Sequence, residues 1–178
     1  MSSPMKIDVQ ALKEGENSLE FRESAAGLGL DETAGEFKSD VTVTLTLHKR
    51  ADEIVVLGRA AGVVSEECSR CLRRYDRKFS VEFEVFCDKI GAHKPPANEE
   101  EGETYIAHHD GKTLDMGPVV REAVVLSSPM KAVCREDCRG LCPVCGVNLN
   151  EQTCGCAAVK PDARCWSVLE KLKKEGSK

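Results

Sequence analysis

Aromatic residues are scarce: Phe, Tyr and Trp together make 4% of the 178 residues, with a single Trp. A core in this chain must therefore rest on Val, Leu, Ala and Ile. Long hydrophobic runs are missing too. Stretches such as Ile54–Leu57 fall far short of the ~20 apolar residues that a membrane-spanning helix needs. The opening "MSSPMKIDVQ" has no basic segment followed by an apolar one, so no signal peptide is expected and the cytoplasm is the expected compartment. The motifs G-x-S-x-G, H-E-x-x-H and the P-loop are absent, and no pair of carboxylates is singled out by its spacing. An enzyme is not the first expectation. A formal net charge of -5 argues against a general polyanion binder, although a local basic face remains open.

Cysteine is abundant. Ten are present, and "CPVCGVNLNEQTCGC" packs four of them between Cys142 and Cys156. Reducing conditions disfavour structural disulfides, so thiols this close are expected to bind metal or do redox work. In Cys142-Pro-Val-Cys145-Gly two thiolates three positions apart can grip one ion, and the glycine allows the tight turn. Cys154 and Cys156 can supply two more sulfurs, a set that suits tetrahedral zinc. Cys68-Ser-Arg-Cys71 is a second knuckle. It sits between strand-like segments and not at the start of a helix after a βαβ strand, which argues against a thioredoxin-like dithiol. Its natural partners are Cys134 and Cys138, a pairing that would tie the sheet region to the C-terminal segment. Rivals are Cys87, His93, His108 and His109, and a grouping of Cys134, Cys138, Cys142 and Cys145 on one ion is an alternative. Two structural zinc sites are expected. Cys87 and Cys165 read as buried small apolar residues.

The first part of the chain reads as strands. "DVTVTLTLHKR" alternates Val41, Val43, Leu45 and Leu47 with threonines, the mark of a half-buried antiparallel strand. "DEIVVLGRAAGVV" follows a short turn at Ala51-Asp52, and "KFSVEFEVFC" turns Phe79, Val81, Phe83 and Val85 inward. Gly27-Leu28-Gly29 reads as a plain connection, and "DKIGAHKPPANEEEGET" as a surface loop. A helix is expected after Asp115, which can cap it, with Val119, Val120, Ala123, Val124 and Leu126 as its apolar stripe. A last helix is expected from Asp162 to Lys174. The expected class is α+β: an antiparallel sheet or open barrel over residues 1–115, then a helix, a zinc-stapled cysteine-rich segment and a C-terminal helix over 116–178.

The run "CREDCRGLCPVCGVNLNEQTCGC", with "CSRCL" upstream and Asp162-Ala163-Arg164 behind it, resembles the YceD family of bacterial and plastid proteins, named for large ribosomal RNA subunit accumulation. Cys68 and Cys71 match its C-x-R-C element. Cys138, Cys142, Cys145, Cys154 and Cys156 match its C-terminal cysteine cluster. The resemblance implies a non-enzymatic role in the maturation or stability of 23S ribosomal RNA. One local feature agrees: "CSRCLRRYDRK" gathers Arg70, Arg73, Arg74, Arg77 and Lys78 around Tyr75, a set able to bind phosphates and stack on an unpaired base. With the resemblance, contact with ribosomal RNA or a large-subunit precursor is the expectation. The alternatives are a zinc-stabilised adaptor that docks a basic ribosomal protein or processing factor, a Cys68–Cys71 redox protein, and a zinc-ribbon regulator.

Overall fold

The computed structural model describes residues 5–31, 35–51, 53–90 and 106–156. The chain divides into two compact units, Met1–Ser69 with Arg73–Cys134, and Arg70–Leu72 with Arg135–Lys178. All the regular elements described belong to the first: β1 (Lys6–Asp8), β2 (Gly15–Glu23), β3 (Glu36–Phe37), β4 (Val41–Arg50), β5 (Glu53–Glu67), β6 (Arg74–Lys89), β7 (Ile106–His109), β8 (Thr113–Asp115) and α1 (Gly117–Leu126).

The unit is predominantly β. Its main sheet runs β2-β4-β5-β6-β7, with β3 paired to β5, and β1 and β8 form a separate two-stranded ribbon. Every pair is antiparallel except β6–β7, which is parallel. The expectation of a purely antiparallel sheet is corrected there. Residues 90–105 lie between β6 and β7, and a return of a dozen or more residues is what a parallel crossover requires.

The alternation in β4 does what its period dictates. Val41, Val43, Leu45 and Leu47 are fully buried, and each such side chain contributes about 1.5–3 kcal/mol. The turn into β5 is two residues long, Arg50 pairing with Glu53. Ala51 sits there at φ 52°, the left-handed conformation that tight hairpins demand. β5 and β6 then pair without a break from Glu53–Asp88 to Glu67–Arg74. Gly58 faces Phe83 across this ladder, and the phenyl ring occupies the space a Cβ would fill. An aromatic laid over a cross-strand glycine covers backbone that would otherwise be wet.

β6 begins at Arg74, well before the alternating stretch that signals it in sequence. Arg74, Tyr75, Arg77 and Lys78 therefore belong to a strand, whereas Arg70 and Arg73 lie in the turn before it. The Asp115 carboxylate accepts the Gly117 N–H, the first of α1, at 3.0 Å, but the N-cap position itself falls to Met116, whose side chain makes no capping bond. Val119, Val120 and Val124 are buried on the sheet, whereas Leu126 is 75% exposed. At ~100° per residue, position 126 lies about 200° round the helix from Val124, which takes it off the buried stripe. The Gly27–Gly29 turn is core-forming: Leu28 and Leu30 are buried, and Arg121 Nε donates to the Gly29 carbonyl at 3.0 Å. The last helix, expected at 162–174, falls outside the described residues, as do His93 and Cys165.

Candidate metal centres

Two groups of four cysteines bring their sulfurs within 4.8 Å of one another: Cys68, Cys71, Cys134 and Cys138, and Cys142, Cys145, Cys154 and Cys156. The alternative grouping of Cys134, Cys138, Cys142 and Cys145 is not the one adopted. Cys87, His108 and His109 belong to neither group.

The first knuckle follows directly on β5. The Cys68 N–H donates to the Arg73 carbonyl at 3.0 Å, and Leu72, one residue past Cys71, holds φ 58°. Ser69 meets Ala132 twice: its N–H and its Oγ both donate to that carbonyl at 2.8 Å. These bonds hold the chain two residues ahead of Cys134. Cys68, Cys71 and Cys138 are buried.

The second knuckle repeats the pattern. The Cys142 N–H donates to the Val147 carbonyl at 2.8 Å, again five residues on, and Gly146 after the second cysteine has φ 73°. The Gly146 N–H also closes the turn on the Cys142 carbonyl at 2.9 Å. The Cys145 and Val144 backbone N–H groups point at the Cys142 sulfur and, with the Cys154 thiol, bring its pKa down to about 6. Cys156 is pushed the other way, up to about 12, chiefly by its hydrogen bond to Cys145. The group as a whole can thus surrender a first proton readily at Cys142, and a thiolate is the form that ligates metal. Cys145 and Cys156 are exposed while Cys142 is buried.

Four residues without a sequence signal for metal binding support these loops. Asn150 donates from Nδ2 to the Cys138 sulfur at 3.4 Å, while its Oδ1 accepts from the Arg139 N–H at 2.9 Å and from Arg135 at 2.8 Å. Arg70 donates to the carbonyls of Glu136 and Cys138 at 3.1 and 2.9 Å. Gly140 (φ 75°) lies against the Arg70 carbonyl, where an added Cβ would come within 3.0 Å of the oxygen. Asn148 and Asn150 form an Asx turn, a reading the short "VNLN" stretch permits, but their partners are fixed only by the fold.

Zinc–sulfur bonds of ~2.3 Å in a tetrahedron place sulfurs about 3.8 Å apart. Both groups are consistent with that spacing, and donors aimed at sulfur support its negative charge. Four protein sulfurs would also complete the shell, leaving no position for a reactive water. Cys87 is a different kind of thiol: burial first, then Asp88, pushes it up to about 12, which suits an inert core residue.

The basic segment is divided by the strand alternation. Arg77 and Tyr75 turn to one face, where Arg77 Nε and Nη2 donate to the two oxygens of Glu66 at 3.0 and 2.6 Å and the Tyr75 hydroxyl donates to it at 3.1 Å. Glu66 is held below the usual carboxylate range, first by the Arg77 hydrogen bonds, against the opposing cost of burial. Arg74 pairs with Glu36 at 2.9 Å, and Lys78 is exposed. Arg73 is exposed, beside the Cys68–Cys71 knuckle. So Arg70, Arg74, Tyr75 and Arg77 already have protein partners for the groups that phosphate or base contact would use, Arg74 through an exposed pair.

A β-rich protein carrying two four-cysteine clusters is the class that fold and sites define. The chain belongs to the YceD family: residues 56–173 match the family model described as large ribosomal RNA subunit accumulation protein YceD. It is 29% identical over 154 residues to an uncharacterized protein of Mycobacterium tuberculosis, covering 84% of this chain and 72% of that one. It is 22% identical over 166 residues to the large ribosomal RNA subunit accumulation protein YCED homolog 1, chloroplastic, of Arabidopsis thaliana, covering 79% of this chain and 52% of the relative. The maize protein of the same name matches at 24% over 170 residues, 79% of this chain and 58% of the relative. No solved structure matches. No described helix is long and apolar enough to cross a membrane.

Proposed function

We propose that this protein supports the accumulation of large-subunit ribosomal RNA as a non-enzymatic cytoplasmic factor, through contact with that RNA or with its pre-ribosomal particle. Family membership over residues 56–173 carries the reading. Cys68, Cys71, Cys134 and Cys138 would hold one zinc ion and Cys142, Cys145, Cys154 and Cys156 a second. Bound there, zinc would supply a structural crosslink and no reactive water, because four protein sulfurs would fill its ligand positions. The chain's own part is to aim backbone N–H groups and Asn150 at the sulfurs. In RNA contact, Arg73, Arg74 and Lys78 are the basic groups of the segment best turned to solvent. Arg70, Tyr75 and Arg77 act by supporting the scaffold.

Depletion of the protein tests this: the ratio of large- to small-subunit ribosomal RNA should fall, with precursor ends accumulating on the large-subunit side. An unchanged ratio in normal growth and under stress would refute the role. The second reading, a protein-binding adaptor, is favoured by the partners already held by Arg70, Tyr75 and Arg77 and by the net charge of -5. Co-purification of large-subunit precursors that survives nuclease treatment would select it over direct RNA contact.

A further inference from the structure

β2 ends the main sheet. Its one strand partner among the described residues is β4, with Gly15 facing Lys49 at one end and Glu23 facing Val41 at the other. Alternate residues of such a strand turn their N–H and C=O groups away from the partner. Among the described residues none of these groups finds a backbone partner. The edge is not blunted either: "GENSLEFRE" has neither Pro nor Lys, and its register holds no bulge. The core-facing row shows the same opening. Val43 and Leu45 of β4 are fully buried, while Phe21 and Leu19 directly across from them are half-buried and border an open groove with Ile7 and Leu12. On the outer face Glu16, Ser18, Glu20 and Arg22 are exposed.

We infer that this edge pairs with the β2 edge of a second copy of the chain, antiparallel about a twofold axis, so that the two sheets continue as one. An axis perpendicular to the sheet keeps outer side chains opposite outer ones. Pairing over the whole strand then has one register, centred on its middle residue, Leu19. Leu19 meets Leu19, Ser18 meets Glu20, Asn17 meets Phe21 and Glu16 meets Arg22. The axis makes the Glu16–Arg22 pair twice, and no like charges stand directly opposite each other. Moving the centre to Ser18 sets Glu16 against Glu20, and moving it to Glu20 sets that residue against itself. Arg22 can make the new pair, since its contact with Glu20 in its own strand is long, 3.9 Å, and both side chains are largely exposed. The meeting of the two Leu19 side chains covers apolar surface that β4 leaves open. A second copy is favoured over another extended segment because the charges of β2 complement themselves. The inference does not depend on the ribosomal RNA role: the RNA ratio after depletion decides that role, and a mass measurement decides this interface.

The test is sedimentation equilibrium of the zinc-loaded full chain, with a reductant present to exclude thiol crosslinks. One strand pair is a small interface, so a dimer with a Kd on the order of 10–100 µM is expected. Arg22→Glu should weaken it by about tenfold or more, because both symmetric pairs become repulsive. Glu16→Arg added to Arg22→Glu restores the complementarity and should bring the Kd back to within about threefold of the parent's. Both positions are exposed, and hydrogen exchange in β4 to β6 reports whether each variant is folded. The edge-facing amides of β2 should exchange more slowly as concentration rises. A chain that stays monomeric to about 1 mM, a dimer that Arg22→Glu leaves unchanged, or a double variant no tighter than Arg22→Glu would each overturn the inference.

Discussion

The two units are built on different principles. In the first, Val41, Val43, Leu45, Leu47, Val56, Leu114 and Met116 are fully buried or within 1% of it, together with many partners. Among the described residues of the second, the buried side chains are Cys71, Cys138 and Cys142. The aliphatic side chains among those described residues are at most half-buried: Leu141, Val147 and Leu149 are so, and Leu72 and Val144 are exposed. Small modules with little apolar burial usually draw folding free energy from a disulfide or a metal. The sheet unit is held by exclusion of water; under the proposed function the described part of the cysteine-rich unit is held through its sulfurs. The two knuckles make the contrast finer. They share the same turn, yet one places Leu72 and the other Gly146 at the left-handed position.

The largest expected effect separates the units outright. A strong zinc chelator should abolish hydrogen-exchange protection across 138–152, because metal affinity in small sites is folding free energy. Strands β4 to β6 should keep theirs. Loss of protection in both units together would mean that the sheet also depends on metal.

The reverse perturbation is next. Leu45→Ala should cost the sheet about 2–5 kcal/mol in denaturant unfolding, since a fully buried leucine leaves a cavity behind. Bound zinc per folded chain should not change. Gly58→Ala should also destabilise the sheet, by roughly 1–3 kcal/mol, as its methyl competes with the Phe83 ring.

A smaller effect concerns acid. The folded pKa of Glu66 is lowered, so its contribution is present above the ordinary glutamate pKa of ~4.3 and is lost as pH falls through the lower folded value. Protection of β5 and β6 amides should weaken in that window by about 1 kcal/mol, and Glu66→Gln should flatten this limb. Reading sheet amides alone keeps the result apart from acid release of metal. An unaltered acid limb in Glu66→Gln would remove Glu66 from the account.

The smallest effect tests the knuckles. A leucine at φ 58° costs roughly 1–2 kcal/mol of backbone strain. Leu72→Gly should therefore raise stability by up to ~1 kcal/mol after the glycine's own entropic cost, and Gly146→Ala should lower it by about 1 kcal/mol. Opposite signs in thermal unfolding would support the shared turn; equal signs would contradict it.

How much of this was legible in the residues depends on the range of the interaction. β4 could be read because its period of two is written locally, and the hairpin at Ala51 because two residues are too few for anything else. The parallel β7 could not, since the pairing of Phe86 with Ile106 is a long-range fact with no periodic trace. The thiol clusters were visible through spacing, and the structure assembles the sulfurs in the preferred partition. Asn150 and Arg70 were not, because their roles depend on where a loop returns. The basic segment misled by composition. Its alternation along β6 and the presence of Glu66 on the neighbouring strand divert Tyr75 and Arg77 inward, and only the cross-strand register reveals that.

The most direct measurement of the central claim is the metal content of the native chain by native mass spectrometry. The account predicts two zinc ions per chain, with loss of the Cys142–Cys156 ion accompanied by unfolding of 138–152 while the sheet persists. A metal-free chain that keeps this segment ordered with its thiols reduced, or one that orders it through disulfides, would contradict it.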